Sequence, residues 1–504
     1  MRHQSPSSWA VISICITTIV HFALGFAVEF SVDEAHYVLY AKHLAWSYFD
    51  HPPLVGWIQW PLVSLTSSEG IIRLIPELLW ALSAFLVYQV TLEIHRLIQG
   101  RQGRQGQSAG YLTTALPSAN LCGLMAVLVM IAAPLPHVLA IGLLPDTLLT
   151  PLSLGLMLMA LRWTRKDAFS MADWVITGLL LGLAGLSKYT AVFTAFAILF
   201  VFLASPKKAW VTKAGFWLAL VIALLIISPV LYWNWINDWI SFRYQIAHGS
   251  GGTWAWRRVA AFIGIQIACF GPLLLLGSYL FLKHCLHHQK LILIALLSFF
   301  VIPFAIFASL SGGGSLPHWT TPAWFCLAPF AGIGLAKAWA TQHRKAIRLL
   351  LIGQLLICLL GFGFVLAGGI STAAIKSNPI ADLYGWKLAG QKAAQLTQET
   401  KVNGIAVQNW TLASRAAWYA SPVPVFVLDQ RRDQFDLWFG QLPEGSSAIL
   451  INWSGMTFNP PIGGNLAFEQ CDPLDSLEII RFGRILSRFE YSLCRNWQDT
   501  GATR

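Results

Sequence analysis

Residues 173–205 read DWVITGLLLGLAGLSKYTAVFTAFAILFVFLAS. How this stretch crosses a bilayer decides the fold. Apart from Asp173 at its start and Lys188 in its middle it carries no charge. A spanning helix needs roughly 20 apolar residues, with about 17 as the usual lower end. As one span, 173–205 would put the basic cluster Arg162/Arg165/Lys166 and the pair Lys207/Lys208 on opposite sides of the membrane. As two short helices turning at Ser187–Tyr189, it keeps both clusters on one side. Cytoplasmic loops carry the excess of Lys and Arg, so the two-helix reading is the expected one.

Working outward, apolar runs recur at about 9–29, 71–95, 112–133, 147–162, 173–187, 190–205, 214–234, 259–282, 291–309, 319–338 and 347–369, eleven spans in all. The expected fold class is a polytopic α-helical membrane protein with a small C-terminal α/β domain outside the membrane. Composition agrees: of 504 residues, 56% are hydrophobic and 11% charged. Soluble domains run near one quarter charged, so disorder, a coiled coil and a single soluble domain are excluded.

The formal charge is +11, which alone would suit a nucleic-acid partner. Its distribution excludes one. Residues 370–504 hold 12 basic and 12 acidic residues, leaving 22 of the 34 basic and 11 of the 23 acidic residues in 1–369. With the N-terminus inside, Arg2 and the loops 96–111, 162–173, 206–213, 283–290 and 337–348 hold 16 of those 22. The outer side keeps Lys42, Arg73, Lys188, Arg243, Arg257 and Arg258. An odd number of spans puts the tail outside the cytoplasm. The domain reading is therefore 1–369 as the membrane part, with an external loop 30–70, and 370–504 as an external soluble domain, periplasmic if the resemblance given below holds. The first span exceeds a signal-peptide core and reads as an uncleaved helix. Gln99–Gln107 reads as a cytoplasmic linker.

In the tail, Gly404–Gln408, Val423–Leu428 and Ala448–Asn452 read as short buried strands, and Ala381–Leu396 and Thr411–Tyr419 as helices. Cys471 and Cys494 are its cysteines, a disulfide between them being one of two open readings. No nucleotide-binding glycine loop occurs in the chain. The histidines show no metal-ligand spacing, so no metal or cofactor is expected.

Of the acidic residues in 1–369, Glu29, Asp33, Glu34, Asp50, Glu69, Glu77, Asp146 and Asp238 map to the outer half. Ionisable groups at membrane depth are costly and tend to be functional. Asp33 and Glu34 directly follow the first helix; a carboxylate there suits a general base or a helix N-cap. Asp50 and His51 lie later in that loop, among tyrosines and tryptophans that fit interfacial helices. Asp146 opens a helix after Pro145, where capping is the plain reading. Lys188 in its tight turn either snorkels or holds a phosphate as a point charge. Arg243, among Trp233, Trp235 and Trp239, suits cation–π packing or anion binding. His318 sits in Ser315-Leu-Pro-His-Trp-Thr-Thr-Pro322. Carboxylates and isolated cations on one face of an apolar bundle suit an anionic, lipid-linked substrate.

Asp33-Glu34, Asp50-His51-Pro52-Pro53-Leu54, Pro145-Asp146-Thr147, Ser187-Lys188-Tyr189, Pro229-Val-Leu-Tyr-Trp-Asn-Trp235 and Asp429-Gln-Arg-Arg-Asp-Gln-Phe-Asp-Leu-Trp438 occur in this order. Together they resemble bacterial glycosyltransferase family 39, a GT-C family related to the protein O-mannosyltransferases and the lipid A aminoarabinose transferases. The resemblance covers most of 30–260 and, more loosely, the rest. It implies a polyprenyl-phosphate-linked sugar donor, a lipid or protein acceptor, and inverting transfer on the periplasmic side. It implies Asp33 as the catalytic carboxylate with Glu34 beside it, Asp146 as a further acid, and Lys188 on the donor phosphate. Asp50-His51 stands where the aminoarabinose transferases carry Glu-Lys, and with Arg243 and His318 completes the expected substrate-binding set. The competing readings are a flippase for lipid-linked sugars, which calls for midplane charge on broken helices, and a non-catalytic scaffold, which makes no demand on Asp33 or Lys188.

Overall fold

The structure, a computed structural model, describes residues 5–105, 116–166, 169–205, 208–250, 253–285, 289–341, 343–369, 378–463 and 466–498. Arg2, Asp167, Lys207 and the linker end Gly106–Gln107 lie outside the described residues. The chain divides into two compact units. The first comprises Met1–Ala23, His51–Val55 and Arg73–Leu359, and the second Leu24–Asp50, Gly56–Ile72 and Leu360–Arg504.

The first unit is helical. Among the described residues seven helices are long and apolar enough to cross a membrane, the last being Arg344–Leu366. Two further apolar pairs are bent: Ala119–Ile131 with Pro134–Ile141 by 75°, and Trp256–Phe270 with Pro272–Cys285 by 93°. Met171–Ser187 and Ala191–Ala204 are shorter apolar helices that turn at Lys188–Thr190. These segments correspond to the eleven runs read from the sequence. The run expected over 147–162 is longer, Pro145–Arg165. The expected linker at Gln99–Gln105 instead continues a helix, Leu74–Gln105, because Gln and Arg are good helix formers and lone glycines do not stop them.

The bends have a local cause and a shared remedy. Pro134 and Pro272 lack the N–H that would continue each helix, and Gly271 takes a left-handed φ of 80°. Backbone groups freed in this way must be satisfied internally in a bilayer. Buried Gln354, on the Arg344–Leu366 helix, serves both bends: its Nε2 donates to the Ala132 carbonyl at 3.2 Å and its Oε1 accepts from the Leu273 N–H at 3.0 Å. At the end read as cytoplasmic, buried Glu93 accepts from Arg165 and Arg96 at 2.5 and 3.2 Å, and Asp173 accepts from Lys166 at 2.8 Å.

The second unit holds a five-stranded sheet of order β2-β1-β3-β5-β4. Its strands are β1 Gly404–Val407, β2 Val425–Val427, β3 Ala448–Trp453, β4 Ala467–Arg481 and β5 Arg484–Gln498. β1 pairs in parallel with β2 and β3, and β5 runs antiparallel to β3 and β4. The first three strands match the expectation. The long β4–β5 hairpin has no counterpart among the expected strands, because its apolar residues are interleaved with exposed polar ones and form no continuous run. Cys471 and Cys494 form a disulfide across its paired positions. The helix expected from Ala381 begins at Trp386, after a left-handed Gly385. The loop is part of this unit's core: Phe30, Ala35, Val38 and Leu39 pack in one cluster with Trp386, Ala413, Trp418 and Ile405.

Candidate active site

Asp146, Lys188 and His318 come together within the first unit. The helix Pro145–Arg165 starts on a proline, whose missing N–H costs nothing in the first turn. Its cap is supplied by Thr147, whose Oγ1 accepts from the Leu144 N–H at 3.2 Å. Asp146 is therefore not spent on capping. Its Oδ2 accepts from Lys188 Nζ at 2.6 Å and lies 3.7 Å from His318 Nε2. Its Oδ1 is buried with no hydrogen-bond partner among the described residues. Lys188 does not snorkel: the residue is 5% exposed, and its ammonium lies 5.8 Å from the Trp319 ring centroid. A buried carboxylate–ammonium pair with one unused oxygen is expensive to assemble and is retained for a reason other than stability in many sites.

Trp319, whose ring faces the Lys188 ammonium, also lines a small open hollow with Leu149, Ser153, Phe193, Thr194 and Phe299 among others. One wall is a π-helical turn, Leu297–Val301, a feature frequent at functional sites. The Ser187-Lys188-Tyr189 and Pro229–Trp235 motifs meet: Asn234 Nδ2 donates to Tyr189 Oη at 3.3 Å. His51 is half-buried in the first unit, while Arg243 is exposed on the helix Ile240–Ser250 and stands outside the Asp146 group.

Asp33, Glu34 and Asp50 lie in the second unit. Ser31 precedes the helix Val32–Lys42, and its backbone N–H and Oγ both donate to Glu34 Oε2, at 3.0 and 2.8 Å. This is a capping box. The cap expected of Asp33 is made by its neighbours, and Asp33 sits half-buried in the first turn. Asp50 accepts a hydrogen bond from Tyr40 Oη, and its Oδ2 lies 3.5 Å from His36 Nε2.

The tail holds the loop through groups outside the sequence motifs. Glu29 accepts from the N–H groups of Trp386 and Lys387 at 2.7 and 3.2 Å, capping a helix N-terminus where a negative charge is favoured. Burial pushes its carboxyl up, against those backbone donors. Arg415, fully buried, pairs with Asp382 and stacks 3.9 Å from the Trp386 ring centroid. Burial pulls the pKa of its guanidinium down, while Tyr419, Asp33 and Glu29 oppose that. The only signal for these residues is their pairing with partners far away in the chain.

A many-spanning helical membrane unit followed by a small α/β domain is the arrangement expected from the sequence. The structure matches that of ArnT from Cupriavidus metallidurans bound to undecaprenyl phosphate, with a TM-score of 0.61 at 15% identity, over 97% of this chain and 98% of that one. Against apo ArnT the TM-score is 0.56 at 16% identity, over 88% and 92% of the two chains. Residues 111–233 match the family model of dolichyl-phosphate-mannose-protein mannosyltransferases. The lipid A galacturonosyltransferase RgtD of Rhizobium johnstonii is 28% identical over 280 residues, 54% of this chain and 53% of its own length. The chain thus spans about half the length of that curated relative. The GT-C fold and the membrane-glycosyltransferase resemblance read from the sequence are both borne out.

Proposed function

We propose that the protein is an inverting glycosyltransferase of the bacterial inner membrane. It moves a sugar from a polyprenyl-phosphate donor to a lipid or protein acceptor on the periplasmic side. The observation that carries this reading is the buried Lys188–Asp146 pair at the turn between two apolar helices, which suits a phosphate whose hydrocarbon tail stays in the bilayer. The similarity to a lipid A galacturonosyltransferase favours a lipid acceptor. The tail, 370–504, is periplasmic in this reading, supported by its disulfide, since such bonds persist in oxidising compartments.

The chemistry is one displacement at the anomeric carbon. The acceptor oxygen forms the new bond as the carbon–oxygen bond to the phosphate breaks, and its electron pair stays on the leaving phosphate. The phosphodiester monoanion becomes a phosphomonoester with a second negative charge. Lys188 stabilises that charge, and such stabilisation commonly contributes more to rate than any other single effect. His318 lies beside the pair and can hydrogen-bond the phosphate, and Asp50 and His51 bind substrate; Arg243, exposed and outside this group, has no role in this reading. Asp146 keeps the ammonium in place, and its unused oxygen faces the charge that develops on the sugar. Asp33 accepts the proton of a hydroxyl acceptor, and Glu34 fixes the helix end that carries it.

The test is transfer from a polyprenyl-phosphate sugar in membranes containing wild type or Asp33→Asn. Loss of transfer with normal insertion is expected. Full transfer by the variant removes Asp33 from the mechanism. Movement of labelled lipid across vesicles without covalent transfer replaces the enzyme reading with a flippase.

A further inference from the structure

We propose that His36 is a positioning residue that orients Asp50 and ties it to the tail through Ser414. The three residues form a line within the second unit. Ser414 Oγ, on the helix Trp410–Tyr419, donates to the Trp410 carbonyl at 2.8 Å. The same hydroxyl lies 3.3 Å from His36 Nδ1. The opposite nitrogen, Nε2, lies 3.5 Å from Asp50 Oδ2. The ring thus stands between the tail hydroxyl and the loop carboxylate, one nitrogen toward each.

The surroundings make this a fixed arrangement. The rings of Tyr37, Tyr40, Trp410, Phe435 and Trp438 lie 5.2–6.0 Å from the imidazole, centroid to centroid. They bury the histidine, whose side chain is 5% exposed, while that of Asp50 is 18% exposed. Tyr40 holds Oδ1 and His36 faces Oδ2, so both carboxylate oxygens are directed. Gln434 Oε1 accepts from the Phe49 N–H at 2.8 Å, anchoring the backbone just before Asp50. Ser414 is fully buried and contributes its oxygen from the tail. The C-terminal domain thus sets the orientation of a loop carboxylate, whatever acceptor it also helps to choose. The inference rests on the reading of Asp50 as a substrate-binding group.

Two measurements on the full chain in lipid nanodiscs test it. The first is the nitrogen NMR signature of histidine-labelled protein, with the His36 signals assigned by their loss in His36→Phe. The Nε2 signal is expected to shift in Asp50→Asn and the Nδ1 signal in Ser414→Ala. A His36 spectrum unmoved by either substitution overturns the proposal. The second is a double-mutant cycle in transfer from a polyprenyl-phosphate sugar. His36→Phe keeps the aromatic packing and should lower kcat/KM about 10- to 100-fold, the scale expected for a misplaced group. The same substitution should have no further effect in an Asp50→Asn background. An equal loss in both backgrounds makes His36 merely structural and overturns the proposal. Coupled NMR shifts in a wild type that transfers nothing uphold the positioning and defeat the donor reading instead.

Discussion

Removing the Lys188 ammonium separates stability from catalysis in a way that can be measured. Lys188 Nζ and Asp146 Oδ2 are 2.6 Å apart, with side chains 7% and 1% exposed. At an effective dielectric constant near 20, that separation corresponds to about 6 kcal/mol of attraction. Desolvation of the two ions offsets much of it. What Lys188→Ala leaves behind is Asp146 buried and unpaired, which typically costs about 3–5 kcal/mol. Replacing both members, as in Lys188→Met with Asp146→Leu, removes the stranded charge and should recover stability to within about 1–2 kcal/mol of wild type. Transfer should behave differently. Both variants lack the leaving-group cation, whose loss is worth about 100- to 1,000-fold in rate. The assay is reversible unfolding in detergent alongside transfer from a polyprenyl-phosphate sugar. A double variant that regains transfer with its stability refutes the catalytic role. A single variant as stable as wild type refutes the claim that the pair is buried and mutually dependent.

Glu34→Gln keeps an oxygen for the Ser31 donors and should leave stability within about 1 kcal/mol and transfer nearly unchanged; an inactive, well-folded variant would show that Glu34 takes part in the chemistry. Burial pushes the Asp433 carboxyl up to about 6, against the Phe435 N–H that holds it down. Since its folded value lies above the unfolded one of 3.8, it adds stability below about pH 4 that is lost as pH rises through about 6. The span is worth on the order of 3 kcal/mol. Thermal unfolding of the full chain at pH 4.5 and pH 7 should show this difference shrink in Asp433→Asn, which keeps the N-cap; an unchanged difference assigns the dependence elsewhere.

Apolar runs make the membrane helices legible, because a bilayer demands them whatever their neighbours. The bends are less so: Pro134 and Gly271-Pro272 are visible, but the Gln354 side chain that serves both lies 222 and 81 positions from its partners. At the site, Asp146 and Lys188 both stand out in the sequence, each with a bland alternative. Their pairing across 42 positions removes those alternatives, since Thr147 makes the cap. At Asp33–Glu34 the cap goes to Ser31 and Glu34. Arg243 carries a charge among aromatics that periodicity cannot place, and it is exposed away from the Asp146 group. His36, Arg415 and Glu29 act through contacts that local pattern does not encode.

The second unit is discontinuous, with loop segments ending at Ile72 and tail segments beginning at Leu360. During synthesis the loop emerges long before its partners. At about 5–20 residues per second, the intervening chain takes roughly 15–60 s to make. Over that interval Phe30, Val38 and Leu39 have no Trp386 or Trp418 to cover them, and Glu29 has no helix to cap. The carboxylates of the loop therefore acquire their final geometry only when translation is nearly over. Under the proposed function, transfer would thus begin only after the membrane helices have been made, and a chain cut short before the last strands would lack it.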